Sequence, residues 1–103
     1  MSTVNIFLRV RPEKREEFLQ TIRSIQKNLK EEADLMKSFL YQDMNDANIF
    51  HLTEDWATQD SMERYIRSEK FGVLMGALKV LCLESEVKYQ IYSNKPGKKV
   101  AEV

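Results

Sequence analysis

Residues 49–56 read Ile49-Phe50-His51-Leu52-Thr53-Glu54-Asp55-Trp56. Phe50, Leu52, Glu54 and Trp56 alternate with Ile49, His51, Thr53 and Asp55, and a period of two is that of a strand turning one face to a core. Just upstream, Ser38-Phe39-Leu40-Tyr41-Gln42 is rich in strand formers. Between the two runs lies Asp43-Met44-Asn45-Asp46-Ala47-Asn48, whose Asx side chains bond their own backbone and so favour a turn. Together they predict a β-hairpin. Downstream, Thr58 can cap a short helix carrying Met62, Tyr65 and Ile66, and Ser68 can cap another carrying Phe71, Leu74, Met75, Leu78 and Leu81. The spacing allows two helices or one helix bent near Ser68.

Working outward, Val4, Ile6, Leu8 and Val10 alternate with Asn5, Phe7 and Arg9, which predicts a first strand over 4–10. Pro12 suits a helix start, Glu13, Glu16 and Glu17 sit near the positive end, and Lys27 and Lys30 near the negative end. Phe18, Leu19, Ile22, Ile25 and Leu29 form the buried stripe of that first helix. A last strand is expected over Ser85 to Ser93, with Val87, Tyr89 and Ile91 opposing Lys88, Gln90 and Tyr92. Residues 1–93 thus form one domain and 94–103 a polar, turn-prone C-terminal tail. The order β-α-β-β-α-β gives an α+β fold of ferredoxin-like type: an antiparallel four-stranded sheet with helices on one face. Phe7, Arg9, His51 and the aromatic residues of the second strand fall on the other face. That mixture is too apolar for solvent and too polar for a core, and predicts a homodimer through this face.

A chain of 103 residues with 43% hydrophobic and 31% charged residues, 3 Gly and 2 Pro has the makings of one core and excludes a disordered chain. Lys and Arg number 16, as do Asp and Glu, so the field that nucleic-acid or anionic-membrane binding needs is missing. Met1-Ser2-Thr3-Val4 enters a strand pattern directly, without the charged and apolar regions of a secretion signal, and no apolar run has membrane-spanning length. A soluble, cytoplasmic protein is expected. The lone Cys82 excludes an intramolecular disulfide and fits a reducing compartment.

Metal chemistry is poorly supplied, with His51 and Cys82 the sole ligands of their kinds. Gly72 and Gly76 fall inside a helix rather than in a phosphate-cradling loop, and are read as close-packing positions. His51 reads as a packing and hydrogen-bonding residue, and Leu81-Cys82-Leu83 is an apolar setting without a basic neighbour to activate a thiol. Asp46, Glu54 and Asp55 suggest acidic pairs, but Glu54 and Asp55 point to opposite faces of their strand and cannot serve one site. The fuller constellation is apolar. Ile6, Leu8, Phe50, Leu52 and Trp56 of the sheet face Met62, Tyr65, Phe71 and Met75 of the helices, as core or as the wall of a pocket. Trp56 and Tyr65 each bring a polar tip that a pocket can satisfy.

The stretch from Ile49 to Trp56, followed by Thr58, Met62, Tyr65, Ser68, Phe71 and Gly76-Ala77-Leu78, resembles the antibiotic biosynthesis monooxygenase family. The likeness is a strand ending in an acidic-x-Trp motif, a capped helix and a Ser-x-x-Phe step, and covers roughly residues 3 to 93. It implies a dimeric α+β barrel, with a pocket between sheet and helices in each subunit. It also implies oxidation of quinols or related polyphenols by molecular oxygen without metal or flavin. Trp56 stands at the family's tryptophan. Tyr65 stands where many quinol-oxidising relatives carry a histidine, and Ile6 and Met75 stand where the haem-degrading branch carries asparagine and histidine. Haem degradation is therefore disfavoured, and Asn5, on the opposite face from Ile6, cannot substitute.

The resulting expectation is a monooxygenase without cofactor or metal, acting on a quinol or hydroxylated aromatic, with Trp56 and Tyr65 catalytic. Ile6, Leu8, Phe50, Leu52, Met62, Phe71 and Met75 would bind the substrate. The alternative is a catalytically degenerate dimer of the same fold that binds an apolar small molecule or a protein partner.

Overall fold

A computed structural model describes residues 1–91, so the predicted end of the last strand at Ser93 and the tail over 94–103 lie outside the described residues. Strand β1 runs Ser2–Val10, a single 3₁₀ turn covers Pro12–Lys14 and helix α1 Arg15–Leu29. Strands β2 (Leu35–Gln42) and β3 (Ile49–Trp56) form the hairpin, helices α2 (Gln59–Ile66) and α3 (Glu69–Leu81) follow, and β4 spans Cys82–Ile91. The sheet order is β2-β3-β1-β4, with every neighbouring pair antiparallel. This is the ferredoxin-like arrangement expected, with the second helical segment in two pieces. No helix of the described residues is long and apolar enough to cross a membrane.

The alternation seen in the sequence decides which face is covered. Val4, Ile6, Leu8 and Val10 of β1 and Phe50, Leu52 and Trp56 of β3 are at most 3% exposed, under the stripe Phe18, Ile22 and Leu29 of α1 and Leu74, Leu78 and Leu81 of α3. Register pairs Ile6 with Leu52 and Leu8 with Phe50, so each apolar side chain meets another across the strands. Glu54 lies on this same covered face, opposite Val4 of β1 and Ser38 of β2.

Three strand boundaries differ from the sequence expectation, each for a local reason. β1 begins at Ser2 because Ser2 and Thr3 pair with Trp56 and Asp55. β2 begins at Leu35 rather than Ser38, with a register shift between Leu35 and Lys37 that breaks the alternation and leaves Met36 exposed. β4 starts at Cys82, directly from α3, because this edge strand shows solvent Leu83, Glu84, Ser85 and Glu86 in succession and carries no period of two.

Candidate functional site

Strand β3 carries Glu54 and Trp56 to the covered face, and α2 brings Tyr65 down on them. Thr58 holds extended backbone (φ −134°, ψ 159°), and its hydroxyl oxygen accepts from the Ser61 N–H at 3.0 Å while its own N–H donates to Ser61 Oγ at 3.3 Å. That reciprocal cap sets the helix start, after which Met62 and Tyr65, three residues apart, face the sheet. Ser68 then ends one helix and opens the next. Its Oγ donates to the Tyr65 carbonyl at 2.6 Å and accepts from the Phe71 N–H at 3.3 Å.

The result is an aromatic stack over a buried acid. Trp56 and Tyr65 lie with centroids 4.7 Å apart and planes inclined by 30°, and Phe71 meets Tyr65 edge-on at 5.2 Å. The Tyr65 hydroxyl donates to Glu54 Oε2 at 3.3 Å, and Glu54 is fully buried. Among the described residues no cation pairs with this carboxyl group, and neither Glu54 Oε1 nor the Trp56 indole N–H has a hydrogen-bond partner. Burial pushes the Glu54 carboxyl up to about 7, against the opposing pull of the Tyr65 bond. Burial, and then the neighbouring Glu54 charge, raises the Tyr65 phenol well above its ordinary range, so it remains a neutral donor.

A cleft of about 350 Å³ opens beside this stack, lined by Trp56, Tyr65, Ser61, Arg64 and Ser68 and by the Glu32-Ala33-Asp34 turn before β2. Two ion pairs, Arg64 with Asp34 at 3.7 Å and Lys70 with Glu32 at 2.9 Å, tie that turn to α2 and α3. The structure brings Trp56, Tyr65 and Phe71 into ring contact. Ile6, Leu8, Phe50, Leu52 and Met62 sit in the core at 0–3% exposure, with Phe50 against Phe18 at 4.9 Å. Met75 is half-buried, packed against the edge of that core.

The remaining candidates lie elsewhere. On the open face His51 stacks on Phe7 at 4.4 Å and approaches Tyr41 at 6.0 Å. Its Nε2 shares a 2.7 Å hydrogen bond with Asn5 Oδ1, and burial lowers its basicity. The Cys82 thiol is pushed up to about 11 by burial; contrary to the sequence reading a basic residue, Arg11, does stand near, but its downward pull is the smaller effect. Gly72 and Gly76 also depart from expectation: a Cβ at either would meet nothing within 4 Å, so neither is required for close packing. Among the described residues no cluster of His, Cys, Asp and Glu could hold a metal ion. Glu54 is the residue that pairing logic passes over. Its signal is its phase, since it shares the alternation of Phe50, Leu52 and Trp56 and must be buried with them.

Comparison with known proteins agrees with this architecture. A conserved protein of Methanosarcina mazei Go1 superposes with a TM-score of 0.78 at 25% identity, over 85% of this chain and 88% of that one. A candidate antibiotic biosynthesis monooxygenase of Deinococcus radiodurans superposes with a TM-score of 0.83 at 16% identity, over 96% and 99%. One from Nitrosomonas europaea gives 0.76 at 17% identity, over 86% and 95%. No curated protein sequence matches the chain. The model of one family, antibiotic biosynthesis monooxygenase, matches residues 1–76, which take in β1 through most of α3. With that match over most of its length, the chain belongs to the antibiotic biosynthesis monooxygenase family.

Proposed function

We propose that this protein is a monooxygenase that oxidises a quinol or other hydroxylated aromatic with molecular oxygen, working as a homodimer joined through the open face of the sheet. The observation that carries this reading is the Trp56–Tyr65 stack at the wall of the cleft: an aromatic pair lines a concave site of about 350 Å³ beside the polar side chains of Ser61 and Ser68. The chemistry balances without an added reductant. A quinol and dioxygen give a hydroxyquinone and water: one ring C–H becomes C–OH, the two O–H groups become carbonyls, and the second oxygen atom leaves with two hydrogens. The protein then has to align the ring, exclude water and stabilise a developing phenolate. Ile6, Leu8, Phe50, Leu52, Met62, Phe71 and Met75 would support this site as its apolar backing.

Oxygen uptake by the purified protein with a panel of reduced quinols tests the proposal. Uptake that falls at least about tenfold in Tyr65→Phe or Trp56→Phe supports it. No uptake across the panel sinks it and favours the second reading, a family dimer that binds without catalysis. One observation supports that second reading: the apolar residues behind the stack are packed at 0–3% exposure for Ile6, Leu8, Phe50, Leu52 and Met62.

A further inference from the structure

Tyr65 belongs to the walls of two hollows. One is the cleft of about 350 Å³ beside the Trp56 stack, and the other is a groove of about 180 Å³ between α1 and α3, lined also by Ile25, Asn28, Leu29, Lys70 and Val73. The groove follows from helix spacing: Ile25, Asn28 and Leu29 lie three and four residues apart on one side of α1, and Lys70 and Val73 three apart on one side of α3. Leu29 is buried and Ile25 half-buried against the core, whereas Val73 is 60% exposed. The two hollows adjoin. Lys70 in the groove wall pairs with Glu32 in the cleft wall at 2.9 Å, and both side chains stand open to solvent. The hollows thus meet at Tyr65 and at a surface ion pair, which costs little to displace.

We propose that the two hollows form one site, whose substrate is a hydroxylated aromatic bearing a short unbranched alkyl chain. The ring lies in the cleft against Trp56 and Tyr65, and the chain passes Tyr65 into the groove. The proposal rests on the hydroxylated-aromatic reading above and names the substituent that its substrate carries. The lining of the groove selects that substituent. Ile25, Leu29 and Val73 offer dispersion and the exclusion of water, which reward methylene groups. Lys70, the cation of the lining, is held by Glu32, so an anionic substituent would lose its hydration without gaining a free partner. Such a chain also gives Val73 a purpose. It is an exposed valine on a helix whose inner side already supplies Phe71, Leu74, Leu78 and Leu81 to the core.

Calorimetric titration without oxygen, comparing hydroquinone with methylhydroquinone and propylhydroquinone, measures binding in the absence of turnover. Each carbon that enters the groove is expected to tighten binding about fourfold, so that propylhydroquinone binds the wild-type protein at least about tenfold more tightly than hydroquinone. Val73→Asp sets a carboxylate in the groove wall and is expected to cut that ratio below about threefold. Val73→Phe, which narrows the groove without adding charge, is expected to lower it as well. Val80→Asp is the control, at an exposed valine about two turns further along α3 and outside the groove, and keeps the wild-type ratio. A wild-type ratio near one, or a ratio that Val73→Asp and Val80→Asp change equally, overturns the proposal. If a second copy of the chain fills the groove instead, Val73→Asp lowers the mass found by sedimentation and leaves the ratio unchanged, which overturns it too. The two readings fail separately. Chain-dependent affinity without oxygen uptake removes the oxygenase and keeps the joined site, whereas uptake with hydroquinone and a ratio near one removes the joined site alone.

Discussion

Glu54 is held by a hydrogen bond from Tyr65 but has, among the described residues, no cation to balance its charge, and this makes the fold itself sensitive to pH. In the unfolded chain it ionises around its ordinary 4.5, and in the folded protein around 7. The native state therefore holds the proton more tightly. Below pH 4.5 both states are protonated and the group changes nothing. From there to about 7 stability falls as pH rises, and above 7 the full cost of about 3 kcal/mol remains. Glu54→Gln is accordingly expected to be close to neutral at pH 4 and to stabilise by about 2 kcal/mol at pH 8, as urea unfolding at the two pH values would show. Equal destabilisation at both would mean that the charge carries no such cost. This residue is half legible in the sequence. Alternation places it on the apolar face, but a lone carboxyl group has no motif, and its link to Tyr65 depends on where α2 lands. Trp56 and Tyr65 stand out by their chemistry, whereas the cleft beside them owes part of its wall to Glu32, Ala33 and Asp34, in a turn without periodicity.

At the level of elements, the ending of α2 and the beginning of α3 rest on one hydroxyl group. Ser68 lies in extended backbone (φ −79°, ψ 161°) and serves Phe71 N–H and the Tyr65 carbonyl together. Ser68→Ala is expected to cost about 1 kcal/mol, with Ser68→Asp restoring most of it through the cap and the helix dipole. Thermal unfolding measures both, and an unchanged midpoint in Ser68→Ala would show that packing alone sets the break. Caps of this kind depend on residues three apart in the chain, which is why Thr58 and Ser68 are legible in the sequence alone. Strand ends are less so. The shift at Leu35 to Lys37 and the exposed run Leu83 to Glu86 are set by pairing with distant strands, and their own residues show no alternation.

Across the whole molecule, the sheet has one face sealed by helices and one carrying Phe7, Phe39 and Tyr41 at 41–53% exposure around His51. A second copy over this face would cover all of them. Sedimentation at micromolar concentration is expected to show a dimer, and Phe7→Lys a folded monomer, since an ammonium group there would be buried against its twin. A stable wild-type monomer defeats the prediction. The same topology governs how the chain assembles. β1 lies between β3 and β4, and the register joins Ser2 to Trp56 on one side and to Ile91 on the other. On the ribosome, β1 therefore emerges before either of its neighbours and has no strand to pair with until some fifty residues have followed. Its apolar run Val4, Ile6, Leu8, Val10 is meanwhile open to other nascent chains. Slow, non-local closure of this kind predicts that aggregation during synthesis, more than the stability of the finished fold, limits how much protein a cell accumulates.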